Sequence, residues 1–382
     1  MPSPNEVRRV SASPETLTIE WAEGGASEFA SPWLLDNRAE DRDAHSGQRL
    51  VDVADLPENP RIRSAVARDG SVRIEWEGET PPVSFDIAWL AAHAYGRSAH
   101  SPEQQRRPWL EAARLDARRA FARASLAELR ASPAVRLAWL TRLLQDGLAF
   151  LEALPAEESA LLEAIPLVGR VLETNYGQTF DVRSVPQPEN LAYSDLGLGL
   201  HTDNPYREPV PGFQALHALM ASSEGGESLF ADGLAIAEHL RVSAPEAFAQ
   251  LTTTAVPFHF RSRDTELRAE RPLIQLSVRG EVIAVHYNSR SIAPFNLAAC
   301  DTARFYQAYR RLATLLRDPR FQLRTRLEAG TLVVFDNQRI LHGRTAYSSA
   351  RHPRHLRGCY LARDSVYSET ALLRRKLTPA AA

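Results

Sequence analysis

The sequence predicts an α+β protein, with a strand-rich jelly-roll core (a double-stranded β-helix), flanking helices and a small β-rich N-terminal domain. Three observations carry this. Residues 1–97 read as short strands broken by turns, and residues 108–170 place apolar side chains at helical spacing. From about residue 171 many short strands return at irregular intervals, the pattern of a double-sheet jelly roll. At 382 residues the chain can hold two domains, read here as 1–97 and 98–382.

In the first domain Leu17-Thr18-Ile19-Glu20-Trp21 alternates apolar and polar, and Gly24-Gly25 turns the chain. Glu28-Phe29-Ala30 leads on to Trp33-Leu34-Leu35. Asp69-Gly70 is a hairpin signal before Ser71–Trp76. Phe85, Ile87 and Trp89-Leu90 read as the start of a helix, and the polar stretch Ser98–Gln104 as a linker. Pro108 opens a first long helix through Leu110, Ala113, Leu115 and Ala120-Phe121. Pro133 opens a second, with Leu137, Leu140, Leu143-Leu144 and Leu148 on one stripe, and Ser159–Val168 offers a third. Strands follow at Val182, Gln214–Leu219, Leu273–Leu276, Val282–Tyr287 and Thr331–Phe335, interrupted by one helix, Thr302–Leu316. No internal repeat is evident at this level.

Hydrophobic residues at 44% and charged residues at 24% are ordinary for a globular protein, and a net charge of -2 gives no reason to expect nucleic acid or an anionic membrane as partner. Two cysteines are too few for a disulfide framework or a thiolate metal site, which suits a reducing cytoplasm. The N-terminus lacks a signal-peptide pattern, and no apolar run reaches the ~20 residues needed to span a bilayer. A cytoplasmic protein is the expectation.

The candidate chemistry centres on Gly199-Leu200-His201-Thr202-Asp203-Asn204-Pro205-Tyr206. Side chains alternate along an extended segment, so His201 and Asp203 share a face. A distant histidine would complete the two-histidine, one-carboxylate set that holds non-haem Fe(II) and leaves open positions. His342, in Leu341-His342-Gly343-Arg344 after the Asp336-Asn337 turn, is the best candidate, and Gly343 would let backbone approach whatever His342 binds. Arg354 follows 12 residues later, and its donor fork suits a carboxylate.

Together with Asn190-Leu191-Ala192-Tyr193, Pro211–His217, Gly225-Gly226-Glu227-Ser228, Asp232-Gly233 and Phe335-Asp336-Asn337, these stretches resemble the γ-butyrobetaine dioxygenase branch of the Fe(II)- and 2-oxoglutarate-dependent oxygenases. Taurine dioxygenase is a more distant likeness. The resemblance implies a catalytic core with Fe(II) on His201, Asp203 and His342, Arg354 on the C5 carboxylate of 2-oxoglutarate, and O2 as the second co-substrate. Because related halogenating enzymes lack the carboxylate that Asp203 supplies, it implies hydroxylation. It also implies a homodimer.

By the same resemblance Tyr176, Phe180, Tyr193 and Tyr360 would surround a small quaternary ammonium substrate. A trimethylammonium group has no donor, so π faces recognise it, at roughly 0.5–2 kcal/mol per ring. Phe180 stands where tryptophan is expected. Asn190 and Asn288-Ser289-Arg290 fall where the substrate's acid group is met. Arg290 admits two readings, a structural residue or a guanidinium suited to a phosphonate. The substrates implied are therefore γ-butyrobetaine, giving L-carnitine, or 2-(trimethylammonio)ethylphosphonate, giving its 1-hydroxy product. The rivals are a non-catalytic betaine-binding jelly roll, an oxygenase acting on another small amino or sulfonic acid, and a zinc hydrolase using the same ligands. Arg38, Glu40, Asp43 and Pro81 occupy the positions of the branch's zinc ligands, so no structural zinc is expected in the small domain.

Overall fold

The computed structural model describes residues 6–78, 80–95, 105–184, 194–350 and 353–377. The chain divides into two compact units, residues 1–101 and 102–382.

The first unit holds two three-stranded antiparallel sheets. Val7–Ala12, Thr16–Trp21 and Ala26–Ala30 form one, and Ile62–Arg68, Ser71–Trp76 and Val83–Asp86 the other. A short helix follows each, Ser31–Asp36 and Ile87–His93. Trp33-Leu34-Leu35 is thus helical, while Phe85 belongs to the preceding strand and Asp86 caps the helix through the Trp89 N–H. The unit contains a repeat that sequence inspection overlooked. Leu17-Thr18-Ile19-Glu20-Trp21 corresponds to Val72-Arg73-Ile74-Glu75-Trp76, and Phe29, Trp33 and Leu34 to Phe85, Trp89 and Leu90. Alternate residues of both central strands are buried, and Trp33 and Trp89 meet at 5.5 Å between ring centroids. Asp43 accepts from Ser46, and Arg38 pairs with Asp41 at 2.6 Å.

The second unit is built on two larger sheets. In the six-stranded sheet the order is Ala122–Ser125, Leu148–Glu152, Leu332–Asp336, Phe213–Met220, His355–Leu361 and Phe180–Arg183. Only the first pair is parallel. Leu198–His201, Ile340–Arg344, Ser228–Asp232 and Leu323–Thr325 form the four-stranded sheet, antiparallel throughout. Leu332–Asp336 and Ile340–Arg344 are joined by a short turn yet lie in different sheets. So are Phe213–Met220 and Ser228–Asp232. These crossings bring residues far apart in sequence to one cavity.

The helical expectation fails between Pro108 and Phe121. That stretch forms a 3-10 turn, Ala112–Arg114, and a four-residue helix, Ala117–Ala120, capped by Asp116. The edge strand Ala122–Ser125 then pairs with Leu148–Glu152, and Ser125 and Glu128 form a reciprocal capping box for the next helix. Pro133–Asp146 is helical as expected, but Gly147, at φ 76°, ends it. Leu148 therefore belongs to a strand. Ala299–Arg317 covers the expected helix, and three others were missed, Gly233–Ser243, Pro245–Thr253 and Arg363–Leu377. Gly233–Ser243 buries Gly233 through Ala237 and Leu240 and leaves Val242 exposed, and three of those buried residues are glycine or alanine, which weakens its apolar stripe in the sequence. Among the described residues no helix is long and apolar enough to cross a membrane.

Arg339 and Asp232 tie the turn to this helix. Their guanidinium and carboxylate meet at 2.7 Å with side chains only 2% and 0% exposed. Arg339 also donates to the carbonyls of Gln145 and Arg107, and Asp232 caps Gly233–Ser243. Removing one partner of such a buried pair strands the other's charge. Asp232→Ala is expected to cost about 3–5 kcal/mol, read as a lower urea midpoint with unchanged slope.

Candidate metal centre and its pocket

His201 is the last residue of Leu198–His201, and His342 lies within Ile340–Arg344. The two are register partners across the antiparallel pair, so their rings stand side by side with centroids 4.3 Å apart. Asp203 follows in the turn beyond the strand. Its carboxylate lies 3.3 Å from His201 Nε2 and 3.7 Å from His342 Nε2. Ligand atoms of the three residues all fall within 4.8 Å of one another.

Protonation favours a cation here. The Gly199 carbonyl lies 2.9 Å from His201 Nδ1, which fixes the N–H there and leaves Nε2 a lone pair facing Asp203. Burial, aided by His201, pushes the His342 pKa down to about 3, so its ring is neutral at physiological pH. Burial alone would raise the Asp203 carboxyl, but its closeness to the two histidines and to the Tyr360 hydroxyl outweighs that and holds the pKa well below the usual range. Tyr360 adds a hydroxyl donation to Asp203 Oδ2 at 2.8 Å. Two imidazoles and an ionised carboxylate form a donor set suited to a divalent transition metal.

The triad opens into a cavity of about 410 Å³ between the sheets. Arg354 lines it, buried, with Ser228 as its side-chain partner at 3.3 Å. Among the described residues it has no carboxylate partner. Burial and then the charge of Arg344 lower its pKa to about 10, so it stays a cation in need of an anion. Arg344 lines the same wall and donates to the carbonyls of Ser194 and Leu196.

Aromatic rings form the other wall. Phe180 and Tyr360 lie 4.9 Å apart and Tyr176 is 6.4 Å from Phe180. Two rings join that sequence reasoning missed. Phe260 lies 6.1 Å from Tyr176 and stacks on Tyr206 at 5.0 Å. Tyr206 was findable, three residues past Asp203, whereas Phe260 sits on an ordinary strand, Val256–Arg261, that carries no motif. Asn190 and Tyr193 lie outside the described residues. Asn288 lines the cavity and donates to the Thr202 carbonyl at 3.1 Å. Arg290 lines it from an exposed position; burial of its head group lowers its pKa and the charge of Asp203 opposes that. Gly343 serves strand pairing rather than a ligand: a Cβ there would stand 2.5 Å from the Leu198 carbonyl oxygen.

Residues 110–360 match the family model of the taurine catabolism dioxygenase TauD, TfdA family. The chain is 35% identical to a γ-butyrobetaine dioxygenase of Pseudomonas sp. (strain AK-1), across 94% of both chains. It is 25% identical to the γ-butyrobetaine dioxygenase of Homo sapiens, across 94% of this chain and 95% of that one. With a trimethyllysine dioxygenase of Meyerozyma guilliermondii the identity is 24%, across 97% and 96%. A solved asparagine oxygenase, in complex with Fe(II), 2S,3S-3-hydroxyasparagine and succinate, shares the fold at TM-score 0.50 and 21% identity, over 77% of this chain and 92% of that one. The class these likenesses and the triad define is that of the Fe(II)- and 2-oxoglutarate-dependent dioxygenases. Within it, the chain belongs to the TauD, TfdA family. That sets aside the non-catalytic and zinc-hydrolase readings.

The donor set predicts binding of one Co(II) per chain, Co(II) standing in for Fe(II). Calorimetry is expected to show stoichiometric binding by the wild type and loss of the tight phase in Asp203→Ala. Unaltered binding by that variant would remove Asp203 from the site.

Proposed function

We propose that the chain hydroxylates a small trimethylammonium carboxylic acid, with γ-butyrobetaine as substrate and L-carnitine as product. The observation that carries this reading is the wall of five aromatic rings, Tyr176, Phe180, Tyr206, Phe260 and Tyr360, facing the triad within one cavity. The relatives named as γ-butyrobetaine dioxygenases support it. In this reading the two large sheets are the halves of a double-stranded β-helix.

His201, Asp203 and His342 are the residues that hold Fe(II), and Arg354 takes the distal carboxylate of 2-oxoglutarate. Bound Fe(II), with 2-oxoglutarate and O2, supplies the oxidation that replaces a substrate C–H by C–OH and releases succinate and CO2. The protein's own residues position and exclude. Arg354 offers a buried bidentate donor fork, which fixes orientation as well as affinity. The rings hold the trimethylammonium group by cation–π attraction and keep water from it. Asn288 and Arg290 stand where the substrate's acid group is held. Holding both ends of a short zwitterion selects which carbon faces the triad, and that orientation is the main service the pocket performs.

Arg290 favours a second reading, the trimethylammonio-phosphonate, because a phosphonate carries more charge and more acceptor oxygens than a carboxylate. Succinate formation separates the two, in parallel reactions with γ-butyrobetaine, the phosphonate and trimethyllysine. The expected result is turnover of γ-butyrobetaine well above the others. Preference for the phosphonate would make Arg290 the specificity residue, and turnover of none would discard the aromatic-cage reading.

Two substitutions probe the two ends. Tyr176→Ala is expected to raise the KM for γ-butyrobetaine about 2- to 30-fold, the equivalent of one cation–π contact of roughly 0.5–2 kcal/mol. Arg354→Ala is expected to raise the KM for 2-oxoglutarate at least about tenfold, with the substrate KM far less affected. Equal changes in both constants would argue for a general disturbance of the fold.

A further inference from the structure

Asp203 stands in a turn, not a strand, and the residue after it, Asn204, is in the left-handed region at φ 55°. Such a turn has no sheet ladder to fix it, yet a metal ligand must be held within a fraction of an ångström. Its backbone is held by one side chain. The Asp203 N–H donates to Asn337 Oδ1 at 2.8 Å, and Asn337 Nδ2 donates back to the Asp203 carbonyl at 3.0 Å. The same Nδ2 donates to the Pro211 carbonyl at 3.1 Å. Among the described residues no other partner meets the Asp203 backbone.

Asn337 is fully buried, and its own N–H is fixed by the Gly212 carbonyl at 3.0 Å. It belongs to the turn between Leu332–Asp336 and Ile340–Arg344, the second of which carries His342 five residues on. One side chain therefore ties the segment that bears Asp203 to the hairpin that bears His342. An amide suits this position because it offers an acceptor for an N–H and a donor for carbonyls. Aspartate lacks the donor, and leucine lacks both.

We propose that Asn337 is the positioning residue of the metal centre, holding the Asp203 backbone so that its carboxylate faces both histidines before any ion arrives. This rests on the reading of His201, Asp203 and His342 as metal ligands. Supporting groups of this kind are worth 10- to 100-fold in metal affinity.

The test is Co(II) binding by the full chain without substrate, read by calorimetry and by the visible d–d bands. Asn337→Ala is expected to raise the Kd by about 10- to 100-fold and to alter the bands. Gln338→Ala is the control: its side chain donates to Val210 from the same turn at 3.2 Å but does not touch Asp203. It is expected to bind within about twofold of wild type. A cycle with Asp203→Ala separates positioning from general loosening. If Asn337 acts through Asp203, Asn337→Ala adds no loss in the Asp203→Ala background. An equal further loss there, or wild-type binding by Asn337→Ala while Asp203→Ala is impaired, overturns the inference. Wild-type binding by Asp203→Ala overturns it together with the ligand reading. Should Asn337→Ala fail to fold by near-ultraviolet circular dichroism, Asn337→Ser takes its place with the same expectation.

Discussion

The antiparallel pairing of Leu198–His201 with Ile340–Arg344 is the constraint on which the rest of the site depends. It sets His201 directly opposite His342, although the residues come from distant parts of the chain. A register slip of one residue would turn one imidazole to the other face of the sheet and leave no site. Several features guard the register. Gly343 lets the two backbones approach, since any Cβ would strike the Leu198 carbonyl. Ile340–Arg344 is paired on its other side as well, where Phe230 lies opposite His342. The Arg339–Asp232 pair then locks the turn that starts the strand.

Asp203 is a different kind of problem, because the strand has ended before it. Its position comes from two side chains and one isolated backbone bond. Asn337 holds its backbone, the Tyr287 carbonyl accepts from Thr202 N–H, and Tyr360 bonds its carboxylate. The division of labour is physical. A sheet ladder can place two imidazoles on facing strands, but a carboxylate that must reach both needs a bent backbone, and a bent backbone needs its polar groups satisfied by other means.

The site was legible in the sequence wherever a short motif carried it. His201-Thr202-Asp203, Leu341-His342-Gly343 and Arg354 stood in local patterns, and the structure brings them to one cavity. Phe260 was not legible, because nothing in an alternating strand says which ring faces a cavity. Asn337 was read only as a turn residue, and its reach to Asp203 is a tertiary fact. The fold followed the same division. Gln214–Leu219 and Thr331–Phe335 were found as strands, while the alternating strand Val256–Arg261 was missed, and Gly233–Ser243 was missed because Gly233, Ala235 and Ala237 put little apolar bulk on its buried side. The run from Pro108 to Phe121 misled in the opposite sense. Its apolar spacing is helical, but Asp116 and Ser125 each restart the backbone locally and leave a strand between them.

The charges around the cavity sharpen the functional reading. Arg261, Arg290, Arg344 and Arg354 line it, against the single carboxylate of Asp203. A lone organic cation entering that field meets net repulsion, whatever the aromatic wall contributes. A dicarboxylate co-substrate, placed at Arg354 as proposed, offsets part of this. On the proposed reading, a substrate that carries its own acid group offsets more, because the anion can face a guanidinium while the trimethylammonium group faces the rings. The two halves of the pocket therefore suit a zwitterion better than either a simple amine or a simple acid.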